Sequence, residues 1–301
     1  MGLTCTAVSH AVGESLAATA PGAGYGSWLL VEHPGPWPAF LPWDVLGERA
    51  GKVAVAARER KIQVCLIRRV RERRDGAPHR VYVASNRGGA PWAETVELAD
   101  LDELVHLDLD ALAAGRPAGF GTVTEEPLLL VCTHGRRDRC CAQYGRPVAV
   151  ALAAAYGDLV WEATHLGGDR FAANLVSLPD GLFHGRLTAA NAAEVAGACL
   201  AGEVRLPHYR GRAGVPAAAQ AAEHRLRVRT GETRVAAVKV DVAADGTVRL
   251  SHAGREYTAT VTPVRGAARR TSCARDTCVP LVAHDVRLTA AAGATAAAST
   301  G

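Results

Sequence analysis

Apolar and polar positions change rhythm along this 301-residue chain. "SWLLVEHPGPW" is a strand-like run that the prolines at 34, 36 and 38 stop. Residues 44–60 carry helical spacing, and "KIQVCLIRRV", "RVYVAS" and "WAETVEL" predict three strands by alternation and β-branched content. "DLDELVHLDLDALAAG" predicts a helix that Asp100 can cap and Gly115 can end.

The second half repeats that order. "EPLLLVCT" is a continuous apolar run of the buried-strand type, "GRPVAVALAAAYG" is helical up to Gly157, and "LVWEATHLGG" is a strand. "NLVSLPDGLFHGRL" predicts a hairpin turning at Pro179-Asp180-Gly181, and "TAANAAEVAGACLAGE" a helix capped by Thr188. Strand, helix, strand, hairpin, helix is the plan of a thioredoxin-like domain. The expected class is therefore α/β, with a degenerate thioredoxin-like half that lacks any metal motif over residues 1–122 and a thioredoxin-like domain that carries one over 123–206. From Pro207 the composition loosens into a linker with a short helix. Alternation around Asp245-Gly246 then predicts a small β-rich extension, giving 207–286, and an Ala/Thr/Gly-rich tail at 287–301 reads as disordered.

Composition adds few exclusions. The length suffices for two ordinary domains, so the eight cysteines are not needed to staple a small core. A formal charge of +4 rests almost wholly on arginine, the only lysines being Lys52, Lys61 and Lys239. Such a bias says little about partners, since a basic surface suits an acidic redox protein and a nucleic acid equally. The N-terminal stretch lacks a basic region followed by an apolar one, and no apolar run approaches the about 18 residues of a membrane span. A cytoplasmic protein with no membrane partner is expected. In a reducing compartment its cysteines are metal ligands, redox groups or small core residues more often than disulfides.

Two motifs carry chemistry. "VCTHGRRDRCCAQYGRP" at 131–147 follows one apolar strand, and "THLGGDRFAAN" at 164–174 ends the next. If those strands are parallel, Cys132 and His165 meet at the C-terminal edge where open α/β sheets gather ligands, and the loop from 133 to 141 brings Cys140 or Cys141 alongside. Thiolates and a neutral imidazole suit zinc, copper(I) or an iron–sulfur centre. Gly167 and Gly168 leave room for backbone to approach inorganic sulfide, while Arg136, Arg137 and Arg139 offset the charge of a reduced cluster.

These motifs, with "CTAVSHAVGESLAATA", "WLLVEHPGPW", "CLIRR" and "LPDGLFHGRL", resemble the sucrase/ferredoxin-like family, a branch of thioredoxin-like ferredoxins. The resemblance implies a [2Fe–2S] electron carrier rather than an enzyme. Its cysteine pair carries over to Cys132 and Cys141 and its first histidine to His165, but Asp169 stands where the family's second histidine would be. The fourth ligand is then Asp169, Cys140, Cys273, Cys278 or water. His134, Asp138 and Arg137 are motif residues that orient the loop or face the cluster, and His134 is a candidate for proton uptake coupled to reduction. No pair of carboxylates suits glycoside hydrolysis. Without a GxGxxG or P-loop motif, electrons must come from a separate reductase and pass to a separate acceptor.

Blander readings stand beside these. Cys5, Cys65 and Cys199 read as structural, and Asp169 could cap a short helix or pair with Arg170. "RRVRERRDGAPHR" reads as a solvated hairpin between strands rather than a nucleic-acid site, lacking interleaved aromatics. Two rival functions remain: a zinc-bound scaffold on Cys132, Cys141, His165 and Asp169, and a thiol redox protein using Cys140 or Cys141.

Overall fold

The computed structural model describes residues 3–40, 42–70 and 78–291. Most of the basic run between the second and third strands, and the tail beyond 291, lie outside the described residues. Helix α1 (Cys5–Ala11) opens the chain, with Thr4 Oγ1 accepting from Ala7 N–H. Then come β1 (Ser27–Glu32), α2 (Glu48–Glu59), β2 (Gln63–Arg69), β3 (His79–Ser85), β4 (Trp92–Leu98), α3 (Leu109–Ala113) and β5 (Thr122–Val123). The second half holds β6 (Leu128–Cys132), α4 (Arg139–Tyr156), β7 (Val160–Ala163), β8 (Leu175–Leu178), β9 (Leu182–His184), α5 (Ala192–Leu200) and β10 (Tyr209–Arg212). Helix α6 (Ala217–Thr230) and β11 (Val238–Val242), β12 (Val248–His252), β13 (Arg255–Arg270) and β14 (Cys278–Ala290) complete it.

Both halves share one ten-stranded sheet of order β10-β9-β8-β6-β7-β2-β1-β3-β4-β5. In each, a strand–helix–strand unit makes a parallel pair, β1 with β2 and β6 with β7, and the next two strands add antiparallel on the far side. The halves join where β2 runs antiparallel to β7, matching Ile67 with Ala163 and Arg69 with Trp161. There Arg68 pairs with Glu162 at 2.5 Å, and the Arg69 guanidinium lies 3.7 Å from the Trp161 ring centre. One sheet face packs on α2 in the first half and on α4 and α5 in the second. The other face curls on itself, so that Trp28 of β1 meets Phe183 of β9 with ring centres 6.0 Å apart. Cys65 and Cys132 belong to this inner core.

Several expectations change. Residues 44–60 divide at Gly47 (φ 87°) into a 3-10 turn and α2, and the Asp100 capping box starts a 3-10 turn before the short α3. Tyr209–Arg212 is the edge strand of the large sheet rather than linker, because it pairs with β9. A division after residue 122 cuts β5, and a tail from 287 cuts β14, which pairs with β13 up to Ala290. The four-stranded sheet β11-β12-β13-β14 packs its apolar side on α6. Among the described residues no helix is long and apolar enough to cross a membrane.

His184 ends β9 fully buried, its Nδ1 3.6 Å from Cys199 Sγ and its Nε2 without a partner. Burial pushes its pKa down to about 3. Between its ordinary 6.5 and that value the unfolded chain holds a proton the folded one lacks, so stability falls as pH drops through this window. Each pH unit removes about 1.4 kcal/mol. Denaturant unfolding from pH 7 to 4 should therefore show His184→Phe losing about one proton's share of the slope; an unchanged slope contradicts the assignment.

Candidate metal centre

Cys132 is the last residue of β6 and His165 lies just beyond β7, its parallel neighbour, so the register alone sets them side by side. Cys141 arrives from α4. That helix starts at Arg139 rather than at Gly145, and Asp138 caps it by accepting from Cys140 N–H at 2.9 Å. Gly145 permits the approach, because a Cβ there would meet Cys132 O at 2.1 Å. One ligand atom from each of Cys132, Cys141 and His165 lies within 4.8 Å of the others.

Asp169 joins them. Its Oδ1 accepts from Cys141 Sγ at 3.5 Å and stands 3.0 Å from His165 Nδ1, an ion-pair contact. Arg170 pairs instead with Glu14 at 2.7 Å, and the N-cap of the short 3-10 turn is Gly168. The two bland roles considered for Asp169 are thus filled by other residues. The cysteines are fully buried, whereas the His165 side chain keeps 32% exposure and faces a groove of about 490 Å³ that Arg58, Phe40, His134, Arg137 and Arg275 also line.

Electrostatics tie the group together. The hydrogen bond with Cys141, then His165 and the His134 backbone, hold Cys132 well below the usual thiol range against its burial. Cys141 is correspondingly pushed up by Cys132 and by burial. Burial opposes charge on both His165 and Asp169, yet Asp169 and Cys132 lift His165 to about 9 and His165 holds Asp169 below its ordinary value. Two thiols, an imidazole and a carboxylate gathered at one point make a fitting donor set for a soft or borderline metal.

The surrounding residues set the loops. His134 is buried with Nε2 2.8 Å from Pro38 O and its ring edge-on to Trp37, and burial lowers its pKa. Arg137 lies 4.6 Å from the Phe40 ring centre. Gly167 and Gly168 both take positive φ, 89° and 79°. Gly167 faces open space, while a Cβ on Gly168 would strike the Arg210 guanidinium at 2.4 Å. For Gly168, then, the glycine requirement comes from a buried arginine.

Arg210, hidden in sequence within an apparent linker, donates to Gly167 O (3.1 Å), Asn174 Oδ1 (2.8 Å), Thr19 O (2.6 Å) and Thr19 Oγ1 (3.1 Å). Burial lowers its pKa to about 9. Asn174 donates in turn to Gly168 O, and its own backbone carbonyl accepts from Cys132 N–H.

The cysteines divide into two groups. Cys140 and Cys273, both candidates for the fourth position, gather with Cys5 and Asp138 in a cluster apart from Cys132, Cys141 and His165. Cys5, read as structural, is the participant that no sequence spacing signals. Cys140 is lowered to about 6, mainly by its hydrogen bond with Cys5, whose own pKa is raised by the same contact and by burial. Cys278 is exposed at the start of β14. Cys65 is buried in the same inner core as Cys132 and Cys199 lies apart from both groups, and burial pushes each up to about 12.

Comparison with known proteins agrees with the motifs. A model of the sucrase/ferredoxin-like family matches residues 19–211. The chain belongs to this family. Among solved structures, a thioredoxin-like [2Fe–2S] ferredoxin from Aquifex aeolicus is similar at 18% identity, covering 30% of this chain and 94% of the ferredoxin, with a TM-score of 0.26. No curated protein matches. In this family member, Arg210→Leu leaves the acceptors at Gly167, Asn174 and Thr19 unpaired and should cost about 3 kcal/mol. Chemical denaturation checks this; a loss under about 1 kcal/mol would mean that water replaces the guanidinium freely.

Proposed function

We propose that this chain carries single electrons on a [2Fe–2S] cluster held by Cys132, Cys141, His165 and Asp169. The observation behind this reading is the convergence of two thiols and an imidazole at the ends of β6 and β7, with Asp169 against two of them, on the motif positions of a ferredoxin-like family. The lowered Cys132 thiol is what such ligation requires. Each sheet half is read as a thioredoxin-like unit, the second one bearing the cluster.

When bound, the cluster would accept and release one electron, at a potential raised by nitrogen ligation. The protein supports this with named groups. The His134 backbone N–H stabilises charge on Cys132, and the aliphatic and aromatic core around Cys132 and Cys141 excludes water. His165, partly exposed, is the ligand nearest solvent and the route outward. Arg58, Arg137 and Arg275 around its groove suit acidic redox partners, a reductase and an acceptor.

A second reading has one observation in its favour. Three ligand atoms within 4.8 Å suit a single tetrahedral ion, and zinc accepts Cys₂His with a carboxylate. Metal and sulfide analysis separates the two. Anaerobically purified protein is expected to hold two irons and two acid-labile sulfides per chain, with a brown colour that Cys132→Ser abolishes. Asp169→Ala should alter the visible spectrum, while Arg170→Ala leaves it unchanged. Zinc without sulfide supports the second reading, and a folded chain free of metal contradicts both.

A further inference from the structure

The adjacent cysteines at the start of α4 point to different neighbours. Cys141 faces Cys132 and Asp169, whereas Cys140 turns to Cys5 of α1 and to Cys273 in the turn between β13 and β14. Cys140 Sγ lies 3.5 Å from Cys5 Sγ and 3.6 Å from Cys273 Sγ, and one ligand atom from each of Cys5, Cys140, Cys273 and Asp138 lies within 4.8 Å of the rest. A disulfide needs sulfurs about 2.05 Å apart. Three thiolates around tetrahedral zinc, with bonds of about 2.3 Å, stand about 3.8 Å from one another. The observed spacing is close to the second figure.

Two donors converge on the Cys273 sulfur. Cys5 N–H donates to Cys273 Sγ at 3.2 Å, and the Arg139 guanidinium interacts with the same sulfur. Asp138 fixes the arrangement from beneath: Oδ1 accepts from Cys140 N–H, and Oδ2 from Ser272 Oγ at 2.7 Å and Cys273 N–H at 2.6 Å. Cys5 and Cys140 are fully buried, while Cys273 is half-buried, leaving an open side for entry of an ion and for a water ligand. Cys5 and Cys273 lie outside residues 19–211, the span matched by the family.

We propose that Cys5, Cys140 and Cys273 form a second metal site that binds zinc through three thiolates, clasping α1 and the C-terminal hairpin to the start of α4. Binding releases thiol protons to solvent and changes no oxidation state. The site also accounts for the reach of the long β13–β14 hairpin, whose turn delivers Cys273 and Ser272 to the helix that carries Cys141. This inference does not depend on what the Cys132 site holds.

The test uses the full chain carrying Cys132→Ser, kept anaerobic and titrated with zinc alone, with bound zinc counted after gel filtration. Adding Cys273→Ser, a change in a half-buried turn, should lower the count by one equivalent per chain. With cobalt(II) in place of zinc, the same change should remove thiolate-to-metal absorption. If Cys132→Ser does not fold, the wild type against Cys273→Ser alone should give the same difference of one. Equal zinc counts with and without Cys273, or a disulfide among Cys5, Cys140 and Cys273 mapped in anaerobic protein, would overturn the proposal. Loss of iron in Cys132→Ser with this zinc retained would show the two sites to be independent.

Discussion

The arrangement of both cysteine groups depends on how the Asp138 carboxylate shares its lone pairs. One oxygen caps α4 through Cys140 N–H, and the other gathers Ser272 and Cys273 of a turn more than a hundred residues away in sequence. A cap fixes where a helix begins and how its first turn is oriented, and a buried carboxylate is costly without such donors. Because α4 begins at Arg139, its first turn sends Cys141 toward the end of β6 and Cys140 toward α1. A shift of one residue in that start would put one cysteine in the other's place and turn the other away from both groups.

The large sheet supplies the rigid floor. Parallel pairing of β6 with β7 puts Cys132 and His165 at one edge, and the antiparallel seam between β2 and β7 makes the first half a buttress for the second. Above the edge, the glycine loop at 167–168 is held by Arg210 from the sheet's last strand and by Asn174, which also binds Cys132 N–H. A buried guanidinium with this many acceptors is costly to leave unpaired, so loop and strand keep one geometry. That preorganisation is what a redox centre needs if ligand movement is not to accompany each electron.

Much of this was legible in the sequence because it follows local rules. The apolar run ending in Cys132, the strand before His165 and the turn at Pro179-Asp180-Gly181 are set by neighbours in sequence, and each lies where its pattern placed it. The start of α4 was not legible: "RDRCCAQY" has no clear apolar stripe, and Pro147, which resembles a first-turn proline, sits inside the helix. Cys5 and Arg210 escaped for a different reason, as did the place of Cys273, which was read only as a candidate ligand beside Cys132. Their roles arise from contacts with residues distant in sequence, which no periodicity encodes. The blander fate of Asp169 also hinged on tertiary pairing, since Glu14 takes Arg170 from a segment far upstream.

The ferredoxin-like reading requires a mixed donor set at one two-iron centre, with thiolates from Cys132 and Cys141 and an imidazole from His165. Pulsed electron paramagnetic resonance on the dithionite-reduced protein reads this directly through nitrogen hyperfine coupling. Coupling to one imidazole nitrogen is expected, and it should disappear in His165→Cys while the cluster signal persists. A reduced cluster without nitrogen coupling in the wild type, or the same coupling after His165 is replaced, would contradict that ligation.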